Sequence, residues 1–426
     1  MNILITGAGG FIGTHLTRAL SLNHEIVACV RNPQCLTNRL VGIKTNTVDF
    51  SRNLRVEDWL PLLQGVDVVI NAVGIIRESR RQSFELLHHV APCTLFQACE
   101  RAGIRKVIQI SALGADDSAV SQYHLSKKAA DDYLQQRDLD WVIIKPSLVY
   151  GPGGKSAAFF KALSALPLIP VVETGEQLVQ PIHIDDLINT IKALLTADAP
   201  VRISIDAVGP TPISVKNMLL QYRYWLGIIS RKILNVPYPL ALFAGKVGDF
   251  LNNSILSGEA IQMLKQGNTG DVSTLQQTLQ ISPRSLATAL YEQPAEQADR
   301  WHARLFFLRP VLRISIGLLW LFTGIVSLGL YPIEQSYALL SEVQIHGWLA
   351  PVALFGAALI DMALGVATIS RFHIQLVGKL QITLILGYSV LISMGLSEMW
   401  LHPFGPITKN IPLIIATTIM LSLEKE

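Results

Sequence analysis

Directly after its first apolar run, Asn2–Thr6, the chain reads Thr6-Gly7-Ala8-Gly9-Gly10-Phe11-Ile12-Gly13 and then turns helical through Thr14–Leu22. A strand that passes through three spaced glycines into a helix restricts the fold severely. Gly7 permits the tight turn, Gly10 lets the backbone come close to a pyrophosphate, and Gly13 lets the helix lie against the strand. The helix start then presents free N–H groups and a partial positive charge to an anion. A glycine string by itself is weak, but its place between strand and helix is the context that makes it a nucleotide-phosphate loop. Phe11 and Ile12 complete the binding turn.

The alternation continues. Strand-like runs at Asn2–Thr6, Glu25–Val30, Asn46–Val48, Val66–Ala72, Lys106–Ser111 and Trp141–Ile144 are separated by helical stretches such as Phe84–Ala102. This predicts an α/β Rossmann-type domain over 1–150, a doubly wound parallel sheet covered on both faces. Residues 151–300 read as a smaller substrate lobe and connector, with a strand at Val201–Ala207, a helix at Val215–Leu226, and Pro237 and Pro239 interrupting an apolar stretch. Met1 leads straight into the first strand, so no cleavable leader is expected.

Further cofactor positions follow from the strand ends. An acid after the second strand would bond the ribose 2′-OH of NAD; Arg31 stands there instead and could pair with the 2′-phosphate of NADP, so NADP is expected, with NAD open. Asp49 and Phe50 could hold and cover the adenine, and Asn71-Ala72-Val73-Gly74 makes a small turn that lets the cofactor approach. Ser111 ends a strand, and Tyr123 and Lys127 are one helical turn apart on one face. A phenol titrates near 10, and a neighbouring ammonium would lower that value. Tyr123 is therefore the candidate general acid or base, Lys127 its tuning cation and ribose ligand, and Ser111 the group that orients the substrate oxygen.

Taken together these residues resemble the extended and atypical branches of the short-chain dehydrogenase/reductase superfamily. TGAGGFIG, Asn71–Gly74 and the Ser111, Tyr123, Lys127 set match its motifs, and Lys145–Gly153 resembles its RPxxVYGPG element. That element implies nicotinamide contacts from Pro146 and Val149. Gln180–Asp186 is similar to the later V-H-V-D-D element. Lys145 stands where an arginine is usual. The resemblance covers about residues 1–270 and is closest to the branch holding the nucleotide-binding accessory subunit of respiratory complex I, whose members can bind nucleotide without turnover.

From about residue 308 the chain changes character. Half of all residues are apolar and only 16% are charged, against about 25% in soluble domains. Apolar segments lie near 312–331, 349–369, 374–396 and 407–423. A helix needs about 20 apolar residues to cross a ~30 Å hydrocarbon core; three segments reach that and the fourth is short. An all-α four-helix transmembrane bundle over 301–426 is expected. Arg304, Arg309, Arg313, Arg371 and Lys379 fall on one side, with Lys409 alone on the other, which turns both termini to the cytoplasm. His402–Gly405 and Lys409–Pro412 resemble the DoxX-like family, which implies a bacterial inner-membrane protein linked to respiratory or thiol-redox chemistry. Asp361, within the second segment, must face a bundle interior; it is either a proton or quinone-head-group site or a structural partner. Gly317, Gly324, Gly356 and Gly365 could permit close helix contacts.

A net charge of +3 without basic runs argues against nucleic acid. Cys29, Cys35, Cys93 and Cys99 form no CxxC pair, so no metal is expected and the thiols read as reduced. Three functions remain: a membrane-anchored NAD(P)-dependent oxidoreductase moving hydride to or from a carbonyl or alcohol, with a lipophilic or quinone-linked substrate; a non-catalytic nucleotide-bound assembly or redox-sensing factor; and a sugar-nucleotide epimerase or dehydratase.

Overall fold

The computed structural model describes residues 1–34, 42–79, 82–250 and 257–424, which places Cys35 outside the described residues. The chain divides into two compact units, Met1–Ala303 and Arg304–Glu426.

The first unit is built on seven parallel strands: β1 (Asn2–Thr6), β2 (Glu25–Val30), β3 (Lys44–Thr47), β4 (Val68–Asn71), β5 (Lys106–Ile110), β6 (Asp140–Pro146) and β7 (Ile203–Ala207), in the order β7-β6-β5-β4-β1-β2-β3. Successive residues of β1 bury on opposite faces. Ile3 and Ile5 join Leu16 and Leu20 of α1 (Phe11–Leu20) and the apolar face of α4 (Ile184–Leu194); Leu4 joins Leu95 and Phe96 of α2 (Ala91–Arg101) and Ala130 and Leu134 of α3 (Gln122–Gln135). Two buried faces explain why the strands read as unbroken apolar runs.

The strand-like piece near Val201–Ala207 does not stay in a separate lobe. It pairs with β6 from Ile203↔Val142 to Ala207↔Pro146, so the main sheet takes a strand from beyond residue 150. The reason is the helix Ile184–Leu194, which carries the chain back along the sheet as a crossover. The remaining lobe packs Tyr150, Ile169, Val171, Met218, Leu219, Tyr222 and Leu286 into its own core. Arg284 fastens it to the sheet's helices: its Nε donates to Asp186 Oδ1 at 3.1 Å, Nη1 lies 3.0 Å from Glu292 and Nη2 3.0 Å from His183 Nδ1. Thus the His183-Ile184-Asp185-Asp186 stretch serves as a joint.

The second unit holds α5 (Gln297–Ile325, with a wider turn through Leu330) from Arg304 onwards, and α5, α6 (Leu349–Ser370) and α7 (Ile374–Gly395) are long and apolar enough to cross a membrane. The fourth helix, α8 (Asn410–Leu423), has 14 residues and spans about 21 Å at 1.5 Å per residue, less than a ~30 Å core. The expected four spans are thus three full-length helices and one shorter helix. Between the first two spans, Pro332–Gly347 contains a further helix, Ile333–Glu342. Leu318, Phe322, Leu359, Val366, Leu386 and Ile415 are exposed around the bundle, an apolar exterior suited to lipid. Gly317, Gly324 and Gly365 let α5 and α6 touch: a Cβ at Gly324 would lie 2.6 Å from Ala358 O and one at Gly365 2.6 Å from Leu321 N. A Cβ at Gly356 would meet nothing within 4 Å, so that glycine makes no such contact among the described residues.

The tightest approach in the first unit is at Gly13, where a Cβ would sit 2.1 Å from Gly7 O. Gly13→Ala is expected to lower stability by about 3 kcal/mol, the upper end for overpacking, and to abolish nucleotide binding; thermal unfolding and titration with NADPH check both.

Candidate active site

The floor of the site is a buried chain of polar side chains across three strands. Thr6 Oγ1 donates to Asn71 Oδ1 at 2.6 Å, and Asn71 Nδ2 to Gln109 Oε1 at 2.7 Å. These bonds fix the carboxyl ends of β1, β4 and β5, where an open α/β sheet binds ligands.

Above the floor lies the glycine loop. Gly7 has φ +68°, and a Cβ there would be 2.7 Å from Ala72 O and 2.9 Å from Val73 N. Gly10 precedes α1, whose first turn has no side-chain cap. The N–H groups of that turn are therefore available to a diphosphate. Phe11 is half-buried and its ring edge approaches Gly154, while Ile12 packs against the core. The cradle that a methyl group would fill, beside an uncapped helix start, fits a dinucleotide.

At the adenine end, Arg31 is exposed and close enough for its charge to act on Asp49. Burial raises the Asp49 carboxyl, but hydrogen bonds from Ser51 and the charges of Arg31 and Arg52 outweigh it and hold the group below the usual carboxylate range. Its Oδ1 takes the Ser51 N–H at 2.9 Å and the Ser51 hydroxyl at 2.7 Å. Phe50 corrects the sequence expectation: it is 4% exposed and meets Trp59 edge-on at 5.3 Å. Its ring belongs to the core and cannot cover an adenine, because it follows the alternation of an apolar strand end.

At the other end, Lys127 Nζ reaches the carbonyl of the residue before Ser111, and Tyr123 precedes Lys127 by one turn on α3. Ser121 caps α3 by accepting the His124 N–H at 3.1 Å, which sets Tyr123 in the first turn. Lys127 is 3% exposed, and its Nζ donates to Val73 O at 3.2 Å and Ile110 O at 3.0 Å. An ammonium has three N–H bonds; the third has no acceptor among the described residues and suits a ribose hydroxyl. A Cβ on Gly74 would stand 3.4 Å from that Nζ, so the small turn gives the ammonium room. Burial lowers Lys127 to about 8, with Asp131 opposing. Burial, then the Glu259 carboxylate, pushes the Tyr123 phenol up to about 12. The expectation of a lowered phenol is thus reversed: burial and the Glu259 charge both act to raise it. A protonated phenol at neutral pH is suited to donating a proton. Pro146 and Val149 follow on β6 and its extension, Pro146 buried and its carbonyl accepting Leu113 N–H at 3.0 Å, Val149 paired with Ile182.

Three groups were missed in the sequence. Glu259, on the lobe helix Gly258–Gln266, accepts the Tyr123 N–H at 3.1 Å and carries the lobe to the phenol. His88 is fully buried, its ring 5.3 Å from that of Tyr123. Its Nε2 accepts Ile75 N–H at 3.0 Å, so its Nδ1 carries the hydrogen and donates to Ser126 Oγ at 3.1 Å. Asp131 accepts the Ser111 hydroxyl; its spacing of four from Lys127 was the available signal. Lys145 Nζ donates to Ala115 O at 2.8 Å and pins the loop after Ser111. The lobe also encloses a cavity of about 410 Å³ bordered by Tyr150, Lys161, His183 and Trp225; Ser111, Tyr123 and Lys127 do not line it.

In the bundle, Asp361 is 6% exposed with Oδ1 lacking a hydrogen-bond partner among the described residues.

Comparison with known proteins agrees with this geometry. Residues 7–159 match the NAD(P)H-binding family and residues 317–418 the DoxX-like family. The chain thus joins a Rossmann-type domain that matches NAD(P)H-binding proteins to a helical domain that matches DoxX-like proteins. It is 28% identical to a ceramide reductase of Caulobacter vibrioides over 187 residues, 43% of this chain and 57% of that one. It is 27% identical to NADH dehydrogenase [ubiquinone] 1 alpha subcomplex subunit 9 of Arabidopsis thaliana over 262 residues, 59% of this chain and 64% of that one. The chain thus spans under two thirds of the length of either relative. UDP-glucuronic acid 4-epimerase from Bacillus cereus, solved with UDP-glucuronic acid and NAD, superposes with a TM-score of 0.53 at 20% identity, covering 72% of this chain and all of that one. That likeness concerns the fold.

His88 carries a measurable consequence. Burial, then the Lys127 charge, drives its imidazole from 6.5 down to about 2, so the unfolded chain takes up a proton below pH ~6.5 that the folded one refuses. Each pH unit below that point should remove about 1.4 kcal/mol of stability. His88→Gln should show a shallower fall in melting temperature between pH 7 and pH 5 than the wild type.

Proposed function

We propose that this protein is a membrane-anchored, NADPH-dependent reductase of the carbonyl group of a lipophilic substrate. The observation that carries the reading is the buried Lys127 ammonium, with one N–H directed to neither Val73 nor Ile110, one turn from a phenol that stays protonated at neutral pH. Bound NADPH would supply a hydride from its nicotinamide ring. The glycine loop and the first turn of α1 would hold the diphosphate, Arg31 the 2′-phosphate, and Lys127 the ribose. Tyr123 would give its hydroxyl proton to the substrate oxygen as the carbonyl carbon takes the hydride, and Ser111 would orient that oxygen. Glu259 and the lobe would limit water at the phenol.

A lipophilic substrate is supported by the bundle that shares the chain and by the likeness to a ceramide reductase. We place the protein in a bacterial inner membrane with both ends cytoplasmic, on the distribution of Arg304, Arg309, Arg313, Arg371 and Lys379. Within the bundle we assign Asp361 to contact with a proton or a polar head group such as a quinone; an Asp361→Asn variant with unchanged stability, turnover and quinone response removes that role. A second reading, a nucleotide-bound factor without turnover, is favoured by the likeness to the complex I subunit over the longer stretch.

The test uses the full-length protein in detergent, NADPH or NADH, and long-chain ketones including a keto-ceramide. Oxidation of NADPH with stoichiometric alcohol is expected, and Tyr123→Phe should lower kcat by about 10²–10⁴-fold. Tight NADPH binding without turnover on any ketone, or equal turnover in Tyr123→Phe, rejects the reductase. Arg31→Ala should raise KM for NADPH about tenfold, a loss of about 1.4 kcal/mol from one charge-assisted contact, and leave NADH unchanged.

A further inference from the structure

Tyr123, Lys127 and Asp131 are spaced by four along α3 and so share a helix face. Asp131 is 2% exposed. Its Oδ2 accepts the Ser111 hydroxyl, and its Oδ1 has no hydrogen-bond partner among the described residues. The groups that face it are Lys127 from its own helix, Lys145 from β6, and Ser111 and Gln109 from β5.

A serine hydroxyl has one hydrogen and two lone pairs. While the carboxylate is ionised it can only accept, so the Ser111 hydrogen is committed to Oδ2. Ser111 then offers lone pairs alone to a ligand. It can receive the hydroxyl of an alcohol but has nothing to donate to a ketone. When the carboxyl is protonated it can donate to Ser111 Oγ instead. The serine hydrogen is then released towards a carbonyl oxygen.

We propose that Asp131 is a positioning residue that sets the hydrogen-bond polarity of Ser111, its protonated form favouring carbonyl reduction and its ionised form alcohol oxidation. This rests on the reductase reading above. Asp131 transfers no proton in the reaction: the hydride comes from the nicotinamide, the proton from Tyr123, and the Asp131 carboxyl leaves each turnover in the state in which it entered. Burial raises this carboxyl to about 6 against the hydrogen bond from Ser111 and the two lysines, so the change falls within a unit or so of neutral pH.

The experiment has two arms on the full-length protein in detergent. In the first, infrared difference spectra between pH 5 and pH 8 follow the protonated carboxyl without any ligand. A band is expected that titrates near pH 6 in the wild type, shifts in Ser111→Ala, and is missing in Asp131→Asn. In the second, kcat/KM for reduction of a keto-ceramide with NADPH, and for oxidation of the matching alcohol with NADP, is measured over the same range. Reduction in the wild type should fall about tenfold from pH 5.5 to 7.5 while oxidation rises. Asp131→Asn, whose amide cannot ionise, should remove the pH step from both directions; Asp131→Glu, which keeps an ionisable group, should retain a step.

A carboxyl ionised across the whole range, a band insensitive to Ser111→Ala, or the same pH step in Asp131→Asn overturns the inference while leaving the reductase standing. Absence of turnover in the wild type removes the reductase reading and the catalytic half of this one with it.

Discussion

The head of this protein depends on a junction where backbone meets backbone with no side chain between. Gly7 lies against the Ala72–Val73 peptide and Gly13 against Gly7 itself. Because no Cβ intervenes, the loop after β1, the end of β4 and the start of α1 come within van der Waals contact, and the N–H groups of α1 open onto the sheet's carboxyl edge. Val73 then supplies the carbonyl that receives Lys127. The position of the ammonium, and through α3 that of the phenol and of Asp131, follows from this contact.

Much of this was legible in the sequence because it is local. Strand–glycine–helix order, a run of Val and Ile, and a spacing of four each depend on neighbours in the chain; β1, β2 and α1 are found as expected, and Tyr123 and Lys127 lie on one helix. What escaped depends on contacts between distant segments. Phe50 looked like a strand-end cover, but its partner Trp59 lies in the next helix and draws it into the core. Nothing near His88 in sequence signals that Ile75 and Ser126 would bracket its ring. The phenol's titration was misjudged for a similar reason: Lys127 is readable from spacing, whereas the rings of Phe84 and His88 that pack on the phenol, and the charge of the lobe's Glu259, come from distant segments. The seventh strand was visible as a strand, and only the crossover through Ile184–Leu194 determined which sheet it joined.

The second unit obeys a different solvent. Many of its apolar residues point outwards, and its interior combines an apolar cluster that includes Trp320, Leu364 and Met420 with small and polar groups: Gly317 and Gly365 between α5 and α6, Thr368 bonded to Gln381 at 2.9 Å, and Asn410 to Ser389 at 2.8 Å. In lipid, where apolar burial offers no net gain between helices, close contact and interhelical hydrogen bonds hold such a bundle. Asp361 is in the same interior.

At one end of that bundle Glu424, just after α8, is buried beside three guanidiniums: Arg371 at 2.7 Å, Arg309 at 3.4 Å and Arg313 at 3.6 Å. A helix too short to be gripped by a membrane at both rims is thereby moored at one rim by charge. It follows that the carboxyl-terminal edge acts as a clasp for α5 and α6, and that a fusion partner attached there would pull on the clasp before it disturbed any span.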